Sequence, residues 1–276
     1  MNNVEIVIDK KNTDYGGVVS LITGSPGFGK TNTMCNMAER DLEKSIVLWR
    51  GKNTCQWTIF LNNGNGIVFW LHKDVDYILI DRDTGQRTDF RSYGEVRYWD
   101  SPDNLIRDLE KRKINVVYAK HGVMKEREHL NFIDDWNSIF VAMLEREYIY
   151  PISVHFDEVE DLAPESKSGF YMKVMEFANN LKEFRKNWIH FNGAAHKETE
   201  IFWVVRNKIP WTIKMKGSKP NKHSRLYKRT LQKLQTGEAY IEDDGRFDYV
   251  EFCFIGKPRN FILKTNIKME NEENKF

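Results

Sequence analysis

The stretch that most constrains this chain is GSPGFGKT, Gly24 to Thr31, which follows the apolar run GGVVSLIT and precedes NTMCNMAERDLEK. The run reads as a buried strand and the segment after the loop as a helix. Three glycines, a proline and one lysine pack poorly, so the loop is best understood by what it binds. Glycines let successive backbone N–H groups turn inward into a concave anion nest, and the helix behind them adds the positive end of its dipole. Gly24, Gly29, Lys30 and Thr31 satisfy G-x-x-x-x-G-K-[ST] in the strand–loop–helix setting that this pattern requires, a Walker A loop. The nucleotide-binding residues are therefore assigned as Gly24, Ser25, Pro26, Gly27, Phe28, Gly29, Lys30, Thr31 and Asn32. Lys30 is expected to reach the β- and γ-phosphates of ATP, and Thr31 to offer its hydroxyl to Mg2+.

Hydrolysis needs more than a phosphate cradle. YPISVHFDEVEDLAP supplies a second apolar strand, Ile152 to Phe156, that ends in the consecutive acids Asp157 and Glu158. Placed beside the loop strand in a parallel sheet, its C-terminal end would open on the same crevice. Asp157 is then the Mg2+ ligand and Glu158 the residue that orients or deprotonates water. A carboxylate directly after the metal aspartate favours hydrolysis over transfer to a bound acceptor.

The rest of the chain alternates strands and helices. VEIVID, GGVVSLIT and SIVLW read as strands, the last two joined through the helix after Lys30 as a βαβ unit. From Arg50 to Tyr118 the pattern changes to short β-like runs, TIFL, GIVFWL and YILID, then a helix SPDNLIRDLEKRK with Ser101 as N-cap and Pro102 at its first position, then a strand INVVYA. Leu130, Ile133, Trp136, Phe140 and Leu144 recur at three or four residues and predict an amphipathic helix that packs on the core. With 276 residues, 41% of them hydrophobic, the expected organisation is one domain over 1–268, with 50–118 as a β-rich elaboration and 269–276 as a disordered tail.

Composition narrows the setting. Cys35, Cys55 and Cys253 are odd in number and lack metal-site spacing, which argues against a disulfide framework or a zinc site and for a reducing compartment. The opening residues carry no apolar leader, and no uninterrupted apolar stretch approaches the roughly 18 residues of a membrane span. A soluble, cytoplasmic protein without membrane insertion is expected. A formal charge of +2 announces no generally basic or acidic coat, so a nucleic-acid surface must come from local clustering.

Two further roles are needed at such a site. The strand-like IHFNGAAH closes on His196, with Asn192 within it, and either is placed to sense a γ-phosphate. Arg185, at the end of the preceding helix, is the candidate to neutralise a neighbouring subunit's phosphates, with Arg206 as its rival.

GSPGFGKT, ISVHFDEVEDLAP, the EFRKNW segment that leads into a strand, and LQKLQTGEAYIEDDGRFDYVEFCF together resemble the HerA/FtsK superfamily of P-loop motors, especially its short archaeal, plasmid and viral members. The resemblance spans most of the chain. It implies a RecA-like α/β P-loop fold with a mainly parallel sheet flanked by helices, a β-rich insertion between the Walker motifs and a C-terminal β-hairpin. It implies Mg2+-dependent ATP hydrolysis stimulated by DNA, and movement or packaging of double-stranded DNA through a ring, usually a hexamer with sites between subunits. Arg185 corresponds to that superfamily's trans arginine. A capsid protein as partner would indicate packaging, and a nuclease would indicate repair.

The sequence supports a DNA cargo on its own account. Lys214 to Arg229, KMKGSKPNKHSRLYKR, holds seven Lys/Arg and no acid, a pattern suited to phosphate backbones. Two other classes remain open: an ATPase that drives protein secretion, conjugation or phage assembly, and a small-molecule kinase or nucleotide switch in which 50–118 forms a lid.

Overall fold

The computed structural model describes residues 16–122, 126–147, 150–165, 168–219, 226–243 and 246–268. The expected strand VEIVID and the tail 269–276 lie outside the described residues.

The chain runs β1 (Val19–Thr23), α1 (Lys30–Asp41), β2 (Ile46–Arg50), β3 (Ile67–His72), β4 (Val75–Asp81), β5 (Arg87–Thr88), β6 (Glu95–Trp99), α2 (Pro102–Asp108) and β7 (Ile114–Val117). It continues through α3 (Glu126–Glu145), β8 (Ile152–Asp157), α4 (Tyr171–Phe184), β9 (Ile189–Ala195), α5 (Trp203–Arg206) and β10 (Trp211–Lys214), and closes with α6 (Lys228–Lys233), β11 (Glu238–Asp243), β12 (Arg246–Glu251) and β13 (Phe261–Ile267). Ten strands form one sheet in the order β12-β11-β10-β1-β9-β8-β2-β7-β3-β6. Every pairing from β10 to β6 is parallel, while β11 and β12 form an antiparallel hairpin at one edge. β13, β4 and β5 make a separate antiparallel sheet.

The central strands are apolar without alternation because helices or further chain cover both of their faces. All of β1, β2, β8 and β9 is buried. On one face α2, α3, α4 and α5 pack through Leu105, Trp136, Phe140, Phe177 and Val205. On the other, α1 contributes Met34, Met37 and Ala38 beside Trp57, Phe60 and Phe90 from the 50–118 section and Phe261 from β13. The expected stripe on α3 holds, with Ile133, Trp136 and Phe140 fully buried. α2 starts as its sequence predicts: the Ser101 side chain accepts from Asn104 N, with Pro102 in the first turn.

The section 50–118 differs from its reading in one element and refines it in another. TIFL is not a strand; Gln56–Asn63 is a 3-10 segment bounded by Cys55 and Gly64 in left-handed backbone. Trp57, Thr58, Ile59 and Phe60 are buried in succession, and Thr58 Oγ1 donates to Cys55 O at 2.9 Å, a local bond that competes with strand pairing. β3, β6 and β7 extend the parallel sheet beyond β2, whereas β4 and β5 join β13.

Candidate nucleotide site

The loop between β1 and α1 has the backbone its sequence demands. Gly27 and Gly29 take φ of +84° and +96°, left-handed values that side chains disfavour, and Gly29 is the N-cap of α1. Thr31 follows one residue into the first turn. The loop's outer wall is fixed by Ser25 N donating to Lys216 O at 2.8 Å, with the Lys216 ammonium 5.1 Å from the Phe28 ring centroid. Lys30 is buried, and its Nζ donates to the carbonyls of Gly24 (2.8 Å) and Ser25 (3.4 Å) and lies 3.4 Å from His196 Nδ1. Burial lowers the Lys30 pKa, against the opposing pull of Asp157, Glu160 and Glu158. The lysine is thus folded onto its own loop, held by acceptors that a polyphosphate would replace. Asn32 points elsewhere: it donates to Gly256 O at 2.9 Å and accepts from Ile255 N at 2.9 Å, while Asn36 donates to Cys253 O at 2.6 Å. The first turns of α1 are therefore tied to the segment after β12.

β8 ends at Asp157 on the same end of the sheet. It is not beside β1 as the sequence reading supposed; β9 lies between them, with Asp157 opposite Ala194 and Thr23 opposite Ala195. His196 therefore emerges between the loop and the acids, and its N donates to Glu160 Oε1 at 3.4 Å. Asn192, in the middle of β9 and four residues before His196, is committed to the core: Ser20 Oγ donates to its Oδ1 at 2.8 Å, and its Nδ2 donates to Ser153 Oγ at 3.3 Å. Beneath it Ser153, His155 and Asp41 share a fully buried polar cluster that links β8 to the C-terminal end of α1.

The acids are held by residues that the sequence reading did not select. Lys52, two residues past β2, sets its Nζ 3.2 Å from Asp157 Oδ2 and 2.7 Å from Glu158 Oε1. Gln56 Nε2 donates to Asp157 Oδ2 at 2.6 Å. Burial by itself would raise the Asp157 pKa, but Lys52, the Gln56 hydrogen bond and Arg50 together hold it below the usual carboxylate range. Arg50 clasps the following turn: it donates to Asp157 O at 2.5 Å, to Glu158 O at 3.2 Å and to Asp161 Oδ2 at 2.5 Å, and its guanidinium stacks 4.5 Å from the Phe156 ring centroid. Under that clasp Glu158 adopts φ +62°, a conformation costly for a non-glycine residue and one that turns its backbone out of the strand. Glu160 is also new. Burial raises its pKa to about 7, with further upward pushes from Asp161 and Glu158. The available signal was the run DEVED itself, which places two more acids within four residues of Asp157.

The two arginines part company. Arg206 lines a cavity of about 640 Å³ with Ser25 and Pro26 of the loop, His196 and Ser218. Arg185 follows α4 at the opposite end of the strands, where its carbonyl accepts from Gly17 N at 2.8 Å and the residue lines a cavity with Val18, Pro210 and Trp211. The structure thus unites the loop, Asp157, Glu158 and His196, and separates Arg185 from them. Within the basic stretch, Lys214 is fully buried, with Nζ 3.2 Å from Glu198 and 3.6 Å from Glu242. It belongs to the end of β10 and not to a surface patch, and residues 220–225 lie outside the described residues. Cys35 and Cys55 are buried, and burial pushes their thiols up, to about 12 for Cys55. Among the described residues no helix is long and apolar enough to cross a membrane.

A glycine loop and an acid pair at one end of a mainly parallel, helix-flanked sheet define the RecA-like P-loop ATPase fold. Among solved structures, the bacterial conjugative coupling protein TrwB, crystallised with sulphate, matches with TM-score 0.59 at 10% identity over 90% of this chain and 87% of that one. A form of TrwB with the GTP analogue GDPNP matches with TM-score 0.57 at 10% identity, covering 90% and 88%. B204, the DNA-packaging ATPase of Sulfolobus turreted icosahedral virus, aligns with TM-score 0.46 at 12% identity over 87% of this chain and 99% of that one. No protein-family model and no curated protein matches the sequence. The likeness to TrwB establishes the fold.

Proposed function

We propose that this chain is a HerA/FtsK-type, Mg2+-dependent ATPase that translocates or packages double-stranded DNA through a homo-oligomeric ring, a hexamer by resemblance, working in the cytoplasm or a host's cytoplasm. The observation that carries the reading is the meeting of Lys30 with Asp157, Glu158 and His196 at one end of the sheet, where a triphosphate on the loop would lie between them. Residues 1–268 act as one ATPase domain, with 50–118 bracing the acid end.

The residues present fit MgATP. Gly27 and Gly29 adopt the left-handed backbone of an amide nest, Thr31 lies in the first turn of α1, and Asp157 is held ionised. Bound MgATP supplies the scissile phosphoanhydride and a cation that neutralises charge on its oxygens. Lys30 exchanges its loop carbonyls for phosphate oxygens, and Thr31 and Asp157 hold the cation. Glu158 takes a proton from water once its carboxylate leaves Lys52. His196, between Lys30 and Glu160, senses the γ-phosphate. Arg185, remote from its own loop, serves the site of the next subunit. The remainder of the basic stretch, from Lys216 to Arg229, engages the DNA backbone, with a capsid protein or a nuclease as the partner of the assembly.

The test is ATP turnover with and without duplex DNA for wild type, Lys30→Ala and Arg185→Ala, and for Arg185→Ala mixed with Glu158→Gln. Turnover stimulated by DNA, lost in each single variant and partly restored in the mixture, is expected. Turnover indifferent to DNA, or no restoration on mixing, overturns the motor or the trans arginine respectively.

A further inference from the structure

The hairpin β11–β12 and the short helix α6 enclose a groove of about 330 Å³ that the nucleotide site does not use. It is a built feature. Leu226, Leu231 and Leu234 pack together with Tyr240, which fixes α6 against the hairpin and makes that ring the groove's floor. Tyr249 stands beside it with ring centroids 5.7 Å apart at 67°, and Phe247 stands on the other side at 5.6 Å and 83°. The edge-on contacts leave faces of the β12 rings open, with Tyr249 46% and Phe247 39% exposed; nearby Tyr227, outside those contacts, is 66% exposed.

Two cations, Arg229 and Lys233, line the groove beside one carboxylate, Glu238; Lys228 precedes Arg229 in α6, and Arg246 begins β12. Among the described residues none of these four cations is paired with a carboxylate, whereas most other cations at the site and on the 50–118 section are. Arg229 lies over the Tyr227 ring at 5.5 Å. Carboxylates nearby have local duties: Glu238 accepts from Gln235 N at 2.6 Å, and Glu251 accepts from the Tyr249 hydroxyl at 2.7 Å, so that the phenol is anchored with its ring face free.

Open aromatic faces beside unpaired guanidinium and ammonium groups suit a chain that offers flat π-surfaces and phosphates in alternation. Paired bases within a duplex are already stacked on one another and present edges and backbone only. We propose that this groove binds single-stranded nucleic acid, with unpaired bases stacked on Tyr249 and Tyr227 and phosphates held by Arg229 and Lys233. The proposal goes beyond the duplex reading above by assigning a separate surface to unpaired strands, and it does not depend on hydrolysis.

The experiment measures anisotropy of a labelled single-stranded oligonucleotide and of its duplex with the full chain, across a salt series, for wild type, Tyr249→Ala, Tyr249→Phe, Arg229→Ala/Lys233→Ala and Lys30→Ala. Tyr249→Ala should weaken single-strand affinity roughly tenfold, the scale of one base–aromatic stack, and leave duplex affinity unchanged. Tyr249→Phe should restore it, and the double variant should flatten the salt dependence. Lys30→Ala should bind single strands normally, which separates failure of the groove from failure of the ATPase reading. Unchanged single-strand binding in Tyr249→Ala, or equal losses for single strand and duplex, overturns the proposal. Because Tyr249 is exposed, its substitution leaves the core intact, and an unchanged melting temperature checks this.

Discussion

The two halves of the nucleotide site are built by opposite means. The glycine loop is mostly local: its geometry comes from Gly27 and Gly29, its lysine rests on carbonyls five and six residues away, and its distant backbone brace is Ser25 N on Lys216 O. The acid end is assembled from afar, with Lys52 and Gln56 reaching Asp157 across 105 and 101 residues of sequence and Arg50 holding the turn at Glu158. The loop offers donors ready for an anion. The acids are neutralised in advance by cations that a metal must displace or tolerate. A binding surface can therefore be encoded in eight contiguous residues, while a charged catalytic pair depends on the whole sheet to keep it ionised and oriented.

Substitutions can break or sharpen that contrast. Glu158→Gln removes the proton acceptor alone, and turnover should fall by roughly 10²- to 10⁴-fold while calorimetry still finds nucleotide binding. Equal loss of binding would mean that the two halves are not separable. Lys52→Met leaves buried Asp157 and the partly exposed Glu158 without their nearest cation. Breaking such a pair costs about 3 kcal/mol or more, and a lower denaturant midpoint at neutral pH should report it. The stabilisation that Asp157 draws from its depressed pKa is present above its ordinary value of 3.8 and fades on further acidification, so this variant should differ least from wild type in acid. In the loop, Gly29→Ala strains a residue at φ +96°. With a penalty of about 1–2 kcal/mol, nucleotide affinity should weaken roughly tenfold with little change in the acid end.

The smallest effect tests Glu160. Burial raises its pKa from 4.5 to about 7, so between those values the folded chain keeps a proton that the unfolded chain releases. Stability attributable to this group therefore declines as pH rises from about 4.5 towards 7. Glu160→Gln should flatten that part of a melting-temperature profile, and an unaltered slope would remove Glu160 from the electrostatics of the site.

Motifs whose chemistry is contiguous were legible in the sequence: the glycine loop, the apolar strand that ends in Asp157 and Glu158, the α3 stripe and the Ser101 cap. Strand order was not, because nothing local in IHFNGAAH says that it separates β1 from β8. TIFL misled because a run of buried residues, here Trp57 to Phe60, looks alike in a strand and in a 3-10 turn held by Thr58. Lys52 and Gln56 sit in an unremarkable polar loop, and their importance arises only where β2 and β8 run side by side. Lys214 shows the converse: grouped with exposed cations by sequence, it is drawn inside by Glu198 and Glu242.

Arg185 and the phosphate loop flank opposite ends of β1, a strand of five residues that spans about 16 Å. A contact that brings one copy's Arg185 to another copy's loop joins unlike ends of the protomer; a two-fold axis makes it only reciprocally, with both loops and both arginines in one interface, and otherwise the contact is head-to-tail. Repeating such a head-to-tail step yields either a closed circle of copies or an open screw. The pitch of that step, set by a single protomer's geometry, decides whether the assembly has a central hole or grows without end.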